Sequence, residues 1–202
     1  MKAARTQLMI AALVGSLGSY AAVGAAQSQP DSETFLEAIE EQRNKDVVDL
    51  VTKKGRGIIN IRGYSGATPL TAAMRKRANP YVNYLLQNGA DPNLADKNGD
   101  TALMIAARLG YLEGINSMIA ARAKIDATNR QGETALIIAV QTRNVQAVKR
   151  LLEAGASASR TDNASGLSAR EYAVRDRRST EILKLIDSVK PKPLFVAGPV
   201  IR

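Results

Sequence analysis

The sequence has no cysteine, no histidine and no tryptophan, and only two phenylalanines in 202 residues. Each absence closes a route. Without cysteine there is no disulfide staple, no thiolate nucleophile and no sulfur-based zinc site. Without histidine the commonest general base and metal ligand is gone, and with it any Ser-His-Asp triad. With aromatics at 4%, the core has to be small, aliphatic and closely packed. Acidic residues are also scarce, with 19 Asp and Glu against 28 Lys and Arg, a net charge of +9. At 23% charged residues the composition is still that of a folded chain, and the length suits one domain.

The segment 1–26 differs from the rest. Lys2 and Arg5 make a basic start, and residues 8–26 carry no charge and are mostly apolar. Gly24 and Ala26 place small side chains just ahead of Gln27. This three-part pattern predicts a signal peptide cleaved before Gln27, and hence a periplasmic or secreted protein. The same stretch is just long enough to be an uncleaved membrane anchor. Gly15, Ser16, Gly18 and Ser19 interrupt it, however, and its small-residue end favours cleavage. Residues 27–31 read as a short linker.

Beyond the linker the chain repeats itself. Thr68, Thr101 and Thr134 are evenly spaced, and Ser168 follows one position late. Gly66, Gly99, Gly132 and Gly166 stand two positions ahead of them. Leu70, Leu103 and Leu136 form an apolar column that ends in Arg170. Val82, Ile115, Val148 and Ile182 form another, as do Leu86, Ile119, Leu152 and Ile186. Asn60, Asn93, Asp126 and Ser159 make a polar one. A fixed period of about 33 marks stacked units, none of which can bury its apolar face alone.

One unit can be read locally. Thr68 is a good N-cap, and Pro69 suits the first position of a short Ala-rich helix running to about Arg77. Asn79 and Pro80 repeat that cap-plus-proline signal before a second helix over 81–88, with Val82, Leu85 and Leu86 as its apolar stripe. Gly89 ends this helix where a left-handed backbone is needed. Asn98-Gly99 then favours a tight turn. The unit is helix, turn, helix and a protruding hairpin-like loop.

The stretches "GATPLTAAM", "GDTALMIAA" and "GETALIIAV", followed by "VNYLLQNGADPN" and "VKRLLEAGASAS", resemble the ankyrin repeat. Weaker units flank them. One keeps Thr34, Leu36, Ala38, Val48 and Val51, with an extra residue near Gly55, and the other keeps Gly166, Ser168, Ile182 and Ile186. The resemblance implies an all-α ankyrin-repeat solenoid over 32–189, with units at about 32–65, 66–98, 99–131, 132–165 and 166–189. The usual Thr-Pro-Leu-His becomes Thr-Pro-Leu-Thr, Thr-Ala-Leu-Met and Thr-Ala-Leu-Ile, so the family's histidine is missing and Met104 and Ile137 are expected to pack in its place. Arg122 stands in the column of Gly89 and Gly155, where a left-handed backbone would cost about 1 kcal/mol. Gly114 inside a helix adds a similar expected cost of about 1 kcal/mol, which makes the middle of the stack its expected weak point. The tail, 190–202, has three prolines and no helical period. It is either disordered or folded back through Leu194, Phe195 and Val196 over the last unit, and its apolar cluster favours the second.

No catalytic constellation emerges. Glu40 and Glu41 are adjacent on a helix and diverge, so they read as a solvated face. The Gly-containing loops at 55–57 and 63–66 lack phosphate-binding spacing. Asp91, Asp96 and Asp100 do not match a calcium loop and read as chance acidic residues. No enzyme activity, cofactor, metal or small-molecule substrate is expected.

The drifting positions are where a partner would be read. In the family these are loop tips and first-helix ends on a concave face. By register they include Tyr64, Ser65, Ala67, Arg75 and Lys76, then Lys97, Asn98, Asp100, Arg108 and Leu109. Arg130, Gln131, Glu133, Gln141 and Thr142 follow, then Ser165, Leu167, Arg175 and Asp176. One column reads Arg75, Arg108, Gln141 and Arg175, which predicts a cationic ridge for an acidic segment of a partner protein. Cations near helix C-termini also complement the helix dipole without any partner. Association with anionic envelope lipids or polymers is the second reading. Nucleic acid is third, disfavoured by the leader and by the lack of interleaved aromatics. The protein is expected to be a monomer.

Overall fold

The computed structural model describes residues 30–188. The expected leader, 1–26, and tail, 190–202, lie outside the described residues. Among the latter, ten α-helices form five pairs, all in a unit that begins at Asp31. The pairs are α1 (Asp31–Glu40) and α2 (Asn44–Lys54), α3 (Pro69–Arg75) and α4 (Asn79–Gln87), and α5 (Ala102–Leu109) and α6 (Leu112–Ala120). They continue with α7 (Ala135–Gln141) and α8 (Val145–Glu153), then α9 (Ala169–Arg175) and α10 (Thr180–Ser188). The first helices pack in one row, α1-α3-α5-α7-α9, and the second helices α4-α6-α8-α10 in another. This is an all-α repeat stack. Its loops are hairpin-like, with single β-bridges joining Ala95 to Thr101 and Thr161 to Ser168.

The threonine column starts each first helix for a plain reason. Thr68, Thr101, Thr134 and Ser168 are N-caps, each accepting a bond from the backbone N–H three positions on. The position of the missing histidine is used three ways. The Thr71 hydroxyl accepts from the Thr68 N–H at 2.8 Å. Met104 Sδ accepts more weakly from the Thr101 N–H at 3.5 Å, and Ile137 only packs, fully buried. In the last unit Glu171 completes a capping box with Ser168. Buried alanines at 72, 73, 106, 107, 139 and 173 let the first helices approach closely, as a core nearly free of aromatics requires.

Several local expectations need correction. Asn79 is not a cap: Ala78 holds that position, and the buried Asn79 Oδ1 has no hydrogen-bond partner among the described residues. The true asparagine cap is Asn144, which accepts from the Ala147 N–H at 2.8 Å. Thr34 lies inside α1 rather than before it. Val48 is 47% exposed, and Val47 is buried in its stead. The shift follows from a 3-10 helix, Gly55–Asn60, which lengthens the connection after α2 and packs against α2 and α3. Ile119 is only half-buried; Ile115 and Met118 of the same helix are fully buried.

Gly114 also reads differently in place. A Cβ there would come within 2.5 Å of both Met74 Sδ and a Tyr111 ring carbon. The glycine is therefore a packing requirement that lets α6 and α3 close on each other, and alanine would have to displace those side chains. Arg122 is left-handed as expected, at φ 58. A second left-handed column, Gln42, Arg77, Gly110 and Arg143, turns the chain between the two helices of each of the first four units.

Candidate partner-binding surface

The hairpin-like loops are built by one polar column that sequence reading missed. Asp96, Asn129 and Asp162 recur at the repeat spacing and are buried. Asp96 Oδ1 accepts from the N–H groups of Asn98 and Asp100 at 2.8 and 3.0 Å. Asn129 Oδ1 accepts from Gln131 and Glu133 at 3.0 and 2.9 Å. Asp162 Oδ1 accepts from Ser165 and Gly166 at 2.7 and 3.0 Å. Each side chain thus folds its own loop, an Asx-type turn at the root of the tip. The expectation that Asp96 and Asp100 are chance acidic residues is wrong. The signal was present in the even spacing of the column.

The polar column 60, 93 and 126 does a different job. Asn60, Asn93 and Asp126 accept from the backbone N–H groups of Asp91, Lys124 and Ser157 in the following unit, at 2.9, 2.7 and 2.9 Å. These bonds tie each unit to the next. Neighbouring tips are joined too: Arg130 N–H donates to the Asn98 carbonyl at 3.1 Å, and Asn163 N–H to the Gln131 carbonyl at 2.7 Å. Gly99 permits this. It is left-handed, and a Cβ on it would stand 2.9 Å from the Arg130 nitrogen.

The arginine column is divided by this frame. Arg75 pairs with the buried Asp96 carboxylate. Arg108 reaches both oxygens of Asp100 at 3.2 and 3.1 Å, and Asn129 Nδ2 donates to Asp100 as well, at 2.9 Å. Both guanidinium groups are therefore held by carboxylates of the chain itself, which hold the loop roots in turn. Gln141 and Arg175 of the same column are exposed. Lys76 is exposed at the C-cap of α3.

The tips carry the exposed chemistry. Tyr64 is 82% exposed, and Lys97, Asn98, Arg130 and Gln131 are exposed beside it in register. Ser65, Thr142 and Ser165 are exposed too, whereas Ala67, Asp100 and Leu167 are buried and Leu109, Glu133 and Asp176 lie between. The acidic roots are engaged and turned inward. Burial would raise the Asp162 pKa, but the Tyr172 hydroxyl and the N–H groups of Ser165, Gly166 and Leu167 outweigh it and bring it below its ordinary value. A guanidinium bond from Arg143, then the Arg178 N–H, pulls Asp176 down to about 2. No helix among the described residues is long and apolar enough to cross a membrane.

A family model described as "Ankyrin repeats (3 copies)" matches residues 25–129 and, again, 103–192. Among curated proteins, the chain is similar to Ankyrin repeat domain-containing protein 63 of Mus musculus, 36% identical over 89 residues. That covers 41% of this chain and 22% of the mouse protein. The human counterpart is 35% identical over the same length. E3 ubiquitin-protein ligase KEG of Arabidopsis thaliana is 34% identical over 82 residues, 5% of its length. This chain thus spans about a fifth of one relative and a small fraction of the other, and the ligase activity named for KEG does not come with so short a likeness. With its helix pairs, capped first helices and tied loops, the chain belongs to the ankyrin-repeat family, whose repeats form protein–protein interaction modules.

Proposed function

We propose that this is an exported, non-enzymatic binding module that holds an acidic segment of a partner protein along its loop tips and first-helix ends. One observation carries the reading. The exposed tip residues are cationic, aromatic, amide or hydroxyl, while the carboxylates at the loop roots, Asp96, Asp100 and Asp162, are buried and already bonded. Such a surface attracts carboxylates and offers them hydrogen bonds in addition to charge. Lys97 and Arg130 lead the assignment, with Tyr64, Asn98, Gln131, Lys76, Gln141 and Arg175 around them. Arg75 and Arg108 act through the loops they hold, as positioning residues. The basic start and apolar run of residues 1–26 support export and cleavage before Gln27. The working form is a monomer.

The probe is a fluorescent, extended glutamate-rich peptide, followed by anisotropy. Lys97→Glu with Arg130→Glu should weaken binding by about tenfold or more, with helical circular dichroism unchanged. Equal binding by the folded double variant sinks the assignment. Association with anionic envelope lipid is the competing reading, supported by a net charge that is +9 for the whole chain and still +7 without Lys2 and Arg5 of the leader. Vesicles rich in phosphatidylglycerol would then bind better than the peptide, and moderate salt would release them.

A further inference from the structure

Asparagine stands directly before glycine twice in this chain, at Asn88-Gly89 and at Asn98-Gly99. The pairing matters chemically. Glycine has no Cβ to shield its nitrogen, so that nitrogen can reach the side-chain carbonyl carbon of the asparagine, Cγ, and close a five-membered ring. The fold treats the two pairs differently. Asn88 is half-buried at the C-cap of α4. Its Nδ2 donates to the Tyr84 carbonyl at 2.8 Å, and the Gly89 N–H donates to the Leu86 carbonyl at 3.1 Å. Both reacting groups are thus tied into a helix end.

Asn98 is exposed at a loop tip. Among the described residues only its backbone is bonded: its N–H donates to Asp96 Oδ1 at 2.8 Å, and its carbonyl accepts from the Arg130 N–H at 3.1 Å. The side-chain amide is left to water. The Gly99 N–H donates to the Asp96 carbonyl at 3.0 Å, so one direct hydrogen bond, at the surface of a loop, holds the nucleophile back. Such loop bonds open more readily than those of a packed helix. The next tip supplies a contrast. Gln131 stands before Gly132 in the same column and is equally exposed, but its longer side chain would have to close a six-membered ring, a much slower step. A reactive amide and an unreactive one occupy the same place in adjacent units.

We propose that Asn98 is a self-modifying site at the tip between units two and three. The Gly99 nitrogen bonds to Asn98 Cγ, the Cγ–Nδ2 bond breaks, and the side-chain nitrogen leaves as ammonia, taking up the Gly99 amide proton. Water then opens the cyclic imide. Addition at Cγ leaves aspartate. Addition at the former backbone carbonyl of Asn98 leaves isoaspartate, with the main chain running through Cβ and Cγ. Either product adds one negative charge beside Lys97. Isoaspartate also lengthens the main chain by one atom within the Asp96–Gly99 turn, and the carbonyl that accepted from Arg130 becomes a free carboxylate. The turn and the tie between neighbouring tips then cannot both keep their geometry. If the tips hold acidic segments, the conversion is a one-way loss of affinity. That consequence rests on the partner reading above; the conversion itself does not.

The full chain, kept folded at mildly alkaline pH and then mapped by peptide mass spectrometry, should gain one mass unit at Asn98 about tenfold faster, or more, than at Asn88. Labelling by a protein isoaspartyl methyltransferase should rise with that gain, and an Asn98→Gln chain should show neither at this position. A folded chain in which Asn98 stays intact, or in which Asn88 reacts as fast, overturns the proposal. For the consequence, aged chain should bind the glutamate-rich peptide about threefold more weakly than fresh chain, while aged Asn98→Gln chain binds as it did when fresh. Unchanged binding by converted chain overturns the loss of affinity. Failure of fresh chain to bind the peptide sinks the partner reading alone, and the mass gain still decides the Asn98 site.

Discussion

Unit three and unit one share a plan but not an outcome. In unit three the second helix hides Ile115 and Met118 completely, and the helix lies between two like it, α4 and α8. In unit one α2 packs mainly on α1 and on a 3-10 helix that no other described unit has, and Val48 is left in solvent. Valine is just as apolar at Val82 and Val148, where the same column is fully buried, so intrinsic hydrophobicity does not decide which side chain is hidden. The neighbour does. In a stack, a side chain's energetic weight depends on the layer that follows it as much as on the unit that contains it.

The largest test of that contrast is truncation on each side of it. Ile115→Ala removes a fully buried side chain between α4 and α8 and should cost about 2–5 kcal/mol in a urea melt. Val48→Ala should stay within about 0.5 kcal/mol. Similar losses at the two positions would mean that Val48, like Ile115, faces the core and that α2 is rotated from the register described above.

Gly114→Ala sharpens the comparison through its sign. On helix propensity alone, alanine would stabilise α6 by about 1 kcal/mol. Packing against Met74 and Tyr111 reverses this, and a net loss of about 1–3 kcal/mol is expected. A gain in melting temperature would show that Met74 and Tyr111 move aside freely. Arg122→Gly should act in the opposite direction. Arg122 holds a left-handed backbone at φ 58 where Gly89 and Gly155 stand in the units on either side. Relief of that strain should stabilise the chain by about 1 kcal/mol, and a destabilised variant would mean that its side chain contributes more than its backbone costs.

These cases also mark what was legible in the sequence. The caps at Thr68, Thr101, Thr134 and Ser168 could be read because an N-cap acts on backbone within one local motif. The left-handed Arg122 was legible from its column. Gly114 was not, because its reason lies partly in Met74, one unit back. The register of unit one failed because a 3-10 helix cannot be told from a loop by apolar period. Most instructive is the arginine column. Arg75 and Arg108 were aligned correctly, but their partners are Asp96, on the loop that leaves unit two, and Asp100, on the approach to Arg108's own helix, α5. Charge counted along a column says nothing of countercharge supplied across it.

The smallest expected effect lies at the junction of units four and five. Arg143 donates from Nε to Asp176 Oδ2 at 2.5 Å, and the Arg178 N–H and the Ser179 hydroxyl bond the same carboxylate. The Asp176 pKa is accordingly lowered to about 2. A carboxyl group with a depressed native pKa binds protons more readily when unfolded, so its stabilising effect is full above the ordinary carboxylate value near 3.9 and fades as pH falls toward about 2. The pair is open to solvent, and screening keeps its weight small. Melting temperature measured between about pH 6 and about pH 2 should therefore fall slightly less steeply for Asp176→Asn than for the unaltered chain, with the difference confined to the interval below about pH 4. Asp162, whose pKa is also lowered, is present in both proteins and cancels in the comparison. Parallel curves throughout would show that the Arg143 contact contributes nothing to the junction, leaving α7 and α9 held by their buried faces alone.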